Sequence, residues 1–448
     1  MRIRLLSVLA VALGVAPPVG LPLHAQGLPP DSTVRRIVTE RLTSSPFRGI
    51  VVGLVDANGS RRVVAVGVPA DRVFEIGSIT KTFTSAILAT MVADGSVRLD
   101  DPVAKVLPAA VRIPARNGRQ ITLLDLATQS SGLPRLPSNM GPRDSTNPYA
   151  DYSVDQMYAF LSGYELPRDP GETYEYSNLG VGLLGHALAL KAGVSYEELV
   201  RRRILAPLGM RETAITLSPA LRARLAPGHD AEGNVVPNWD LPTLAGAGAL
   251  RSTVGDMLTY VAAHLDSSAN PLARALRQTH QSRRGAGSAT MTIGLGWHIL
   301  ARPQGASIVW HNGGTGGYRS FAGFDEVRRV GVVVLTNANI GADDIGFHLL
   351  DATLPLQTPP KIRTEVAVDS MILNRYVGEY ELVPTFHIVV TREGAGLFIQ
   401  ATGQPKFPIF AESASEFFLK VVDAQISFGG DGMVLHQNGQ NLPGRKIR

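Results

Sequence analysis

Cysteine is missing from all 448 residues. That excludes disulfides, thiolate metal sites, a cysteine nucleophile and lipid attachment through an N-terminal cysteine. Aromatic residues make up only 6% of the chain and charged residues only 18%, and no basic cluster is interleaved with aromatics, so nucleic acid is not an expected partner. The formal net charge of +5 falls to +3 without Arg2 and Arg4, and the remaining surplus is scattered. Lysine is scarce, at seven residues. The ten histidines are dispersed, and no His-Glu-x-x-His stretch or clustered ligand spacing marks a metal site. A Gly-x-Ser-x-Gly elbow is lacking, as is a phosphate-cradling Gly-rich loop after a strand. No metal and no cofactor are expected.

What is present begins with Arg2 and Arg4, a mostly apolar run from Leu5 to Ala16, and Leu23-His24-Ala25 as a small-residue cleavage pattern before Gln26. Residues 1–25 read as a secretory signal. The apolar run is too short to span a bilayer and meets Pro17-Pro18; the alternative is an anchor that stays. A cysteine-free exported chain fits an oxidising compartment, where a stray thiol is a liability. The mature protein is therefore expected in the periplasm or outside the cell, with no stable membrane span.

The length supports two or three domains. Residues 31–43 are predicted as an amphipathic helix, and 49–67 as two strands around a turn at Asn58-Gly59. A helical run through Ile79, Phe83, Ile87 and Met91 ends at Asp94-Gly95. Between 95 and 285 the chain is helical and loop-rich, with helices expected at 123–128, 154–161, 180–191, 196–205 and 254–265. Strand signals return at 293–300, 306–310, 319–324 and 330–336. The expected class is α+β: one antiparallel sheet assembled from both ends, flanked by helices, with a helical region inserted. Residues 26–353 form this domain and Pro-rich 354–361 a stiff linker. Residues 362–448 form a small all-β module, a barrel or sandwich, with strands at 380–383, 387–390, 396–400, 417–421, 426–428 and 433–437.

Three stretches carry chemistry. Gly77-Ser78-Ile79-Thr80-Lys81 sits at a strand-to-helix transition. Serine and lysine three apart share a helix face, and burial with the positive helix end lowers the amine's pKa. A neutral amine beside a hydroxyl activates a serine without histidine; a helix-capping serine and a surface lysine fit the same spacing. Tyr176-Ser177-Asn178 closes a loop before an apolar helix. Its phenol can relay protons and its amide can hold a lysine or a carbonyl, or the pair is a structural tyrosine and a capping asparagine. His311-Asn312-Gly313-Gly314-Thr315-Gly316-Gly317 follows a strand ending at Trp310. Its glycines admit a ligand close to backbone N–H groups, or form a tight turn between edge strands.

In this order the three stretches resemble the motifs of the class C β-lactamase and penicillin-binding-protein-like serine hydrolases. Further stretches similar to that family are 121–128 with Ser131-Gly132-Leu133-Pro134, Pro170-Gly171 before Tyr174, Leu205 to Met210, and Ala247 to Leu250 with Ser252, Thr253, Asp256 and Met257. The likeness covers roughly residues 30–345. It implies a β-lactamase/transpeptidase-like fold. It implies an acyl-enzyme on Ser78, Lys81 and Tyr176 sharing proton transfer, and Asn178 holding Lys81 and the substrate amide. It also implies an oxyanion between the N–H groups of Ser78 and Gly314, and substrate contacts at Gly313, Thr315 and Arg319. The third motif departs from the family's β-lactamases, which begin it with lysine; His311 is mostly neutral at neutral pH. His311 can set the protonation of Tyr176, and Arg319 is the candidate for the missing cation, with a surface role as its alternative. The expected function is an exported serine acyl hydrolase acting on β-lactams or related amides and esters, whose partner is a small-molecule or peptide substrate. The alternatives are an esterase or D-aminopeptidase/DD-peptidase, and a penicillin-binding sensor or wall-binding module without turnover. Tyr376-Val377-Gly378-Glu379-Tyr380 resembles the start of a lipocalin-like barrel.

Overall fold

The two strands richest in β-branched residues, one from each end of the catalytic region, pair inside one sheet, second and third from its edge. They are β1 (Ile50–Val55), which forms a hairpin with β2 (Arg61–Val66), and the last strand of that region. The hairpin turn spans residues 56–60, with the Gly59 N–H donating to the Asp56 carbonyl at 2.8 Å and the Ser60 N–H to Asn58 Oδ1 at 2.9 Å. The later strands are β3 (Arg284–Ser288), β4 (Met291–Ile293), β5 (His298–Leu300), β6 (Ile308–Gly314), β7 (Arg319–Asp325) and β8 (Val330–Thr336). The sheet runs β2-β1-β8-β7-β6-β5-β4-β3, antiparallel throughout. A computed structural model provides these coordinates; it describes residues 27–43, 48–303, 306–357, 363–384, 386–402, 406–419, 424–437 and 440–448. The expected signal at 1–25 and residues 358–361 of the expected linker lie outside the described residues.

Every residue of β1 and β8 is buried, because both sheet faces are covered. Ile50, Val52, Leu54, Val332 and Val334 pack with α1 (Asp31–Thr43) and the helix Asp343–Leu350. A buried Arg41–Asp344 ion pair ties those two helices together. Val51, Val55, Val333 and Leu335 pack on the other side with α2 (Thr80–Ala93) and the helical region. This face carries the larger core, and the Ser78 segment lies against it.

Helices appear at Leu123–Ala127, Val154–Gly163, Asn178–Ala192 and Val254–His264. The expected helix at 196–205 is instead Tyr196–Val200, a wider π turn Arg201–Leu205, and Ala206–Leu208. Pro207 has no N–H to close the α-helical bond to residue 203, so the ladder widens there. Sequence reading missed β3 and the helix Pro271–Thr279; β3 is Arg-Gly-Ala-Gly-Ser, with one buried residue and no apolar alternation. Among the described residues no single helix is long and apolar enough to cross a membrane.

The C-terminal module is a closed barrel of β9 (Gly378–Val383), β10 (Phe386–Glu393), β11 (Gly396–Ala401), β12 (Lys406–Ala411), β13 (Glu416–Phe418), β14 (Ala424–Gly429), β15 (Gly432–Gln437) and β16 (Gln440–Lys446). Pairing of Tyr380 with Lys446 closes it. The expected strand at 417–421 is the shorter Glu416–Phe418, and β12 and β16 were not foreseen. A short helix, Ser370–Tyr376, places Leu373 in the barrel core and stacks the Tyr376 ring on Phe428 at 4.3 Å.

Candidate active site

The Ser78 segment is held from both sides. Ahead of it, Phe74 and Glu75 pair with Arg251 and Ser252, and the Ile76 N–H donates to the Leu250 carbonyl at 3.1 Å. Gly77 has φ +49°, and its backbone lies so close to Gly314 that a Cβ there would be 2.6 Å from the Gly314 nitrogen. Ser78 then falls in a 3₁₀ turn (Gly77–Ile79) that runs into α2, which ends at Asp94 with Gly95 at φ 78° as expected. Lys81, in the first turn of α2, is 0% exposed; it is not a surface charge. Its Nζ lies 2.8 Å from Ser78 Oγ and donates to Asn178 Oδ1 at 2.9 Å and the Ala247 carbonyl at 2.7 Å. Burial, and secondly the charge of Arg135, hold its pKa well below the ordinary lysine value.

Tyr176 and Asn178 are set by Gln129. That residue has φ 55°, uncommon for a residue with a side chain. The turn lets its carbonyl accept the Glu175 N–H and its Oε1 accept the Ser177 N–H, each at 2.7 Å. Ser177, not Asn178, caps the helix, accepting the Gly180 N–H at 2.8 Å. Asn178 is thereby left to face the site, with Oδ1 on Lys81 and Nδ2 donating to the Tyr149 hydroxyl at 3.0 Å. The Tyr176 ring lies 4.8 Å from Lys81 Nζ. Burial pushes its phenol above the usual tyrosine range, opposed by a hydrogen bond with Ser78. Ser78, Lys81, Tyr176 and Asn178 are thus one connected group.

The third stretch differs from its expected form. Residues 311–314 belong to β6 itself, paired with 319–322 of β7, and are not a loop beyond Trp310. His311 is 1% exposed, its ring 6.3 Å from that of Tyr176, with Nδ1 at 2.6 Å from the Asn312 carbonyl oxygen. Burial, then His298 and Lys81, hold it well below the ordinary histidine pKa, so it is neutral. His298, bonded through Nε2 to the Tyr174 hydroxyl at 2.9 Å, is likewise lowered, to about 4, chiefly by burial. Gly313 packs on the Ile76 carbonyl, which also accepts from Ser320 Oγ at 2.8 Å. Thr315 is buried, and among the described residues its hydroxyl has no hydrogen-bond partner. Arg319 turns back over Gly314 and donates to the carbonyls of Thr315 at 2.9 Å and Tyr318 at 3.1 Å. The structure therefore brings Gly314 to Ser78, but buries Thr315 and engages Arg319 with carbonyls of its own loop.

Sequence reading missed Gln129, Arg135, Tyr149 and His298. Three of them had only proximity to stretches already noted: Gln129 directly follows 121–128, Arg135 directly follows Ser131-Gly132-Leu133-Pro134, and His298 lies in the strand expected at 293–300; Tyr149 had no signal.

A family model for beta-lactamases matches residues 34–352. The chain belongs to the beta-lactamase family. It is a serine hydrolase by family, and the sheet-and-helix architecture described above is that of the β-lactamase/transpeptidase fold. Among curated relatives, the D-alanyl-D-alanine-carboxypeptidase/endopeptidase AmpH of Escherichia coli is 32% identical over 277 residues, covering 59% of this chain and 71% of that protein. A beta-lactamase of Pseudomonas fluorescens is 27% identical over 350 residues, 69% of this chain and 92% of that one. A crystal structure of a beta-lactamase/D-alanine carboxypeptidase from Pseudomonas syringae shares the fold, with TM-score 0.62 at 20% identity over 72% of this chain and 99% of that chain. The barrel region, residues 363–436, matches a domain of unknown function, DUF3471.

Proposed function

We propose that this beta-lactamase-family protein is an exported hydrolase that forms an acyl-enzyme on Ser78 with β-lactams or related D-alanyl amides and esters. The observation that carries this is a fully buried amine 2.8 Å from the serine oxygen. Neutral Lys81 takes the Ser78 proton as Oγ bonds to the substrate carbonyl carbon. The oxyanion so formed is received by the N–H groups of Ser78 and Gly314, a preorganised pair worth roughly 3 kcal/mol per donor. Collapse breaks the C–N or C–O bond, and the leaving atom takes the Tyr176 phenolic proton. Lys81 then returns its proton to Tyr176, which restores both groups. A water deprotonated by Lys81 releases the acyl group by the same route. Asn178 holds Lys81 and offers its amide edge to the substrate.

His311 favours a second reading within the class, an esterase or D-amino-acid peptidase, because this neutral ring replaces the cation that β-lactamases of this type present to a substrate carboxylate. The N-terminal pattern of residues 1–25 supports export to the periplasm or beyond. The closed barrel and the Tyr376 to Tyr380 sequence support a lipocalin-like C-terminal module. Purified protein should be assayed in parallel on nitrocefin, p-nitrophenyl esters and D-amino-acid amides beside Ser78→Ala. Turnover of at least one class, lost in Ser78→Ala, is expected. An adduct on Ser78 that persists for hours without turnover would assign a sensor, and no adduct at all would remove the hydrolase assignment.

A further inference from the structure

With the third-motif lysine replaced by a buried neutral histidine, a substrate carboxylate needs another partner. Arg319 does not fit, since its half-buried guanidinium donates to two carbonyls of its own loop. Nearby arginines are committed as well: Arg168 to Glu175, Arg284 to Asp125 and Arg251 to Glu75; Lys81 is the buried base itself. Arg135 differs from all of these. Its guanidinium carbon lies 5.1 Å from the centroid of the Tyr176 ring, the residue is exposed, and among the described residues its side chain makes no hydrogen bond or ion pair. Its placement is fixed by the backbone, because its carbonyl accepts the N–H groups of Asn178 at 3.0 Å and Leu179 at 3.3 Å. The preceding Pro134 carbonyl is tied to Ser177 Oγ at 2.6 Å. Arg135 therefore rides on the same clamp that positions Tyr176 and Asn178.

We propose that Arg135 is the anion-recognition residue of this site, binding the carboxylate of the acyl substrate from the Tyr176 side of the cleft. A planar guanidinium with five donors and no internal partner is built for bidentate carboxylate binding. The ring beneath holds it in place at small cost in desolvation. Its charge also reaches Lys81, whose pKa it lowers, so one cation would both seat the substrate and help to keep the amine neutral.

This inference rests on the serine-hydrolase reading, and the test separates the two. Matched acyl substrates with and without a free carboxylate are compared in the wild type, Arg135→Gln and Arg135→Lys, above the acid limb of each pH profile. Arg135→Gln should lower the ratio of kcat/KM for the carboxylate-bearing over the neutral substrate by about tenfold to hundredfold, through KM, with part recovered in Arg135→Lys. Raising the salt concentration should erode the wild-type ratio and leave the glutamine variant nearly flat. A ratio unchanged in Arg135→Gln, or an equal loss on both substrates, overturns the assignment. Labelling of Ser78 by a fluorophosphonate is read in the same samples. No labelling of the wild type sinks the hydrolase reading itself, whereas labelling with an unchanged ratio sinks only the role given to Arg135.

Discussion

Replacing Gly77 by alanine tests the oxyanion site without touching a reacting side chain. An alanine Cβ would sit 2.6 Å from the Gly314 nitrogen and 2.9 Å from its carbonyl oxygen, where ordinary contact begins near 3.4 Å. Both neighbours are backbone, so no side chain can swing away, and the two segments must part by about 0.8 Å. Displacements of about 1 Å cost on the order of a hundredfold in rate, and loss of one oxyanion donor costs about 10²–10³. The expected result is a kcat lowered by about a hundredfold or more, seen in single-turnover acylation, with KM little changed. Alanine at φ +49° also carries a backbone cost of roughly 1–2 kcal/mol, which alone could lower activity through stability. Gly95→Ala isolates that cost, since Gly95 has φ +78° and the Cβ of an alanine there would meet nothing within 4 Å. It should melt a few degrees lower and keep its activity. Should Gly77→Ala retain kcat within about threefold while melting like Gly95→Ala, the Gly314 N–H takes no part in the reaction.

The remaining expectations concern proton transfer and the clamp. Lys81→Met should cut turnover by about 10²–10⁴ and change the pH dependence of folding. The folded-state pKa of Lys81 lies below its unfolded value, so the unfolded chain binds the extra proton and stability rises with pH between the two values; chemical denaturation across alkaline pH should show that slope in the wild type and lose its Lys81 share in the variant. Tyr176→Phe should impair amide and β-lactam cleavage by about 10²–10⁴. Its effect on a p-nitrophenyl ester, whose leaving group departs as an anion, should be less than about tenfold, so equal losses on both would remove Tyr176 as proton donor. Gln129→Gly relieves the positive φ but strips the acceptor from the Ser177 N–H, a buried group whose loss of partner costs about 1–3 kcal/mol. Thermal melting should fall and kcat with it, and a variant more stable than the wild type would show that the clamp is unimportant.

Much of the site was legible because its chemistry is local. Ser78 and Lys81 are one helical turn apart, and Tyr176 and Asn178 flank the serine that caps their helix, so spacing alone places each pair. The sheet was legible for a related reason: β1 and β8 are nearly unbroken β-branched runs, as strands covered on both faces must be. What failed depends on contacts that no spacing encodes. Residues 311–314 look like a loop because three residues of types that weaken strands, Asn312, Gly313 and Gly314, follow one another. They are held in β6 only because β7 supplies a ladder and the Ser78 segment packs against the glycines. Arg319 carries a charge that reads as a ligand in sequence, yet the fold offers it two carbonyls at closer range. Gln129 carries no signal of its own in the sequence, and its left-handed backbone is what makes it a clamp.

The division of roles follows from one physical term acting on every titratable group at the centre. Burial is the largest cause for Lys81, Tyr176, His298 and His311, and in each case it favours the uncharged form. An uncharged lysine is a base and an uncharged tyrosine is an acid, so low polarity at the centre assigns them opposite halves of the proton transfer without any counter-ion. The two histidines become neutral by the same route and so cannot attract a carboxylate. That leaves the exposed rim as the place where a permanent charge can stand without reversing the state of Lys81. Arg135 meets that condition. A cation there repels a proton from Lys81, whereas an acid in its place would draw one in and silence the base. If anion recognition has moved from the third motif to the rim, Arg135→Glu should therefore fail twice, losing carboxylate-bearing substrates and shifting the acid limb of the pH profile upward for neutral ones. A glutamate variant whose limb stays at the wild-type pH would show that the rim charge and the buried amine are not coupled.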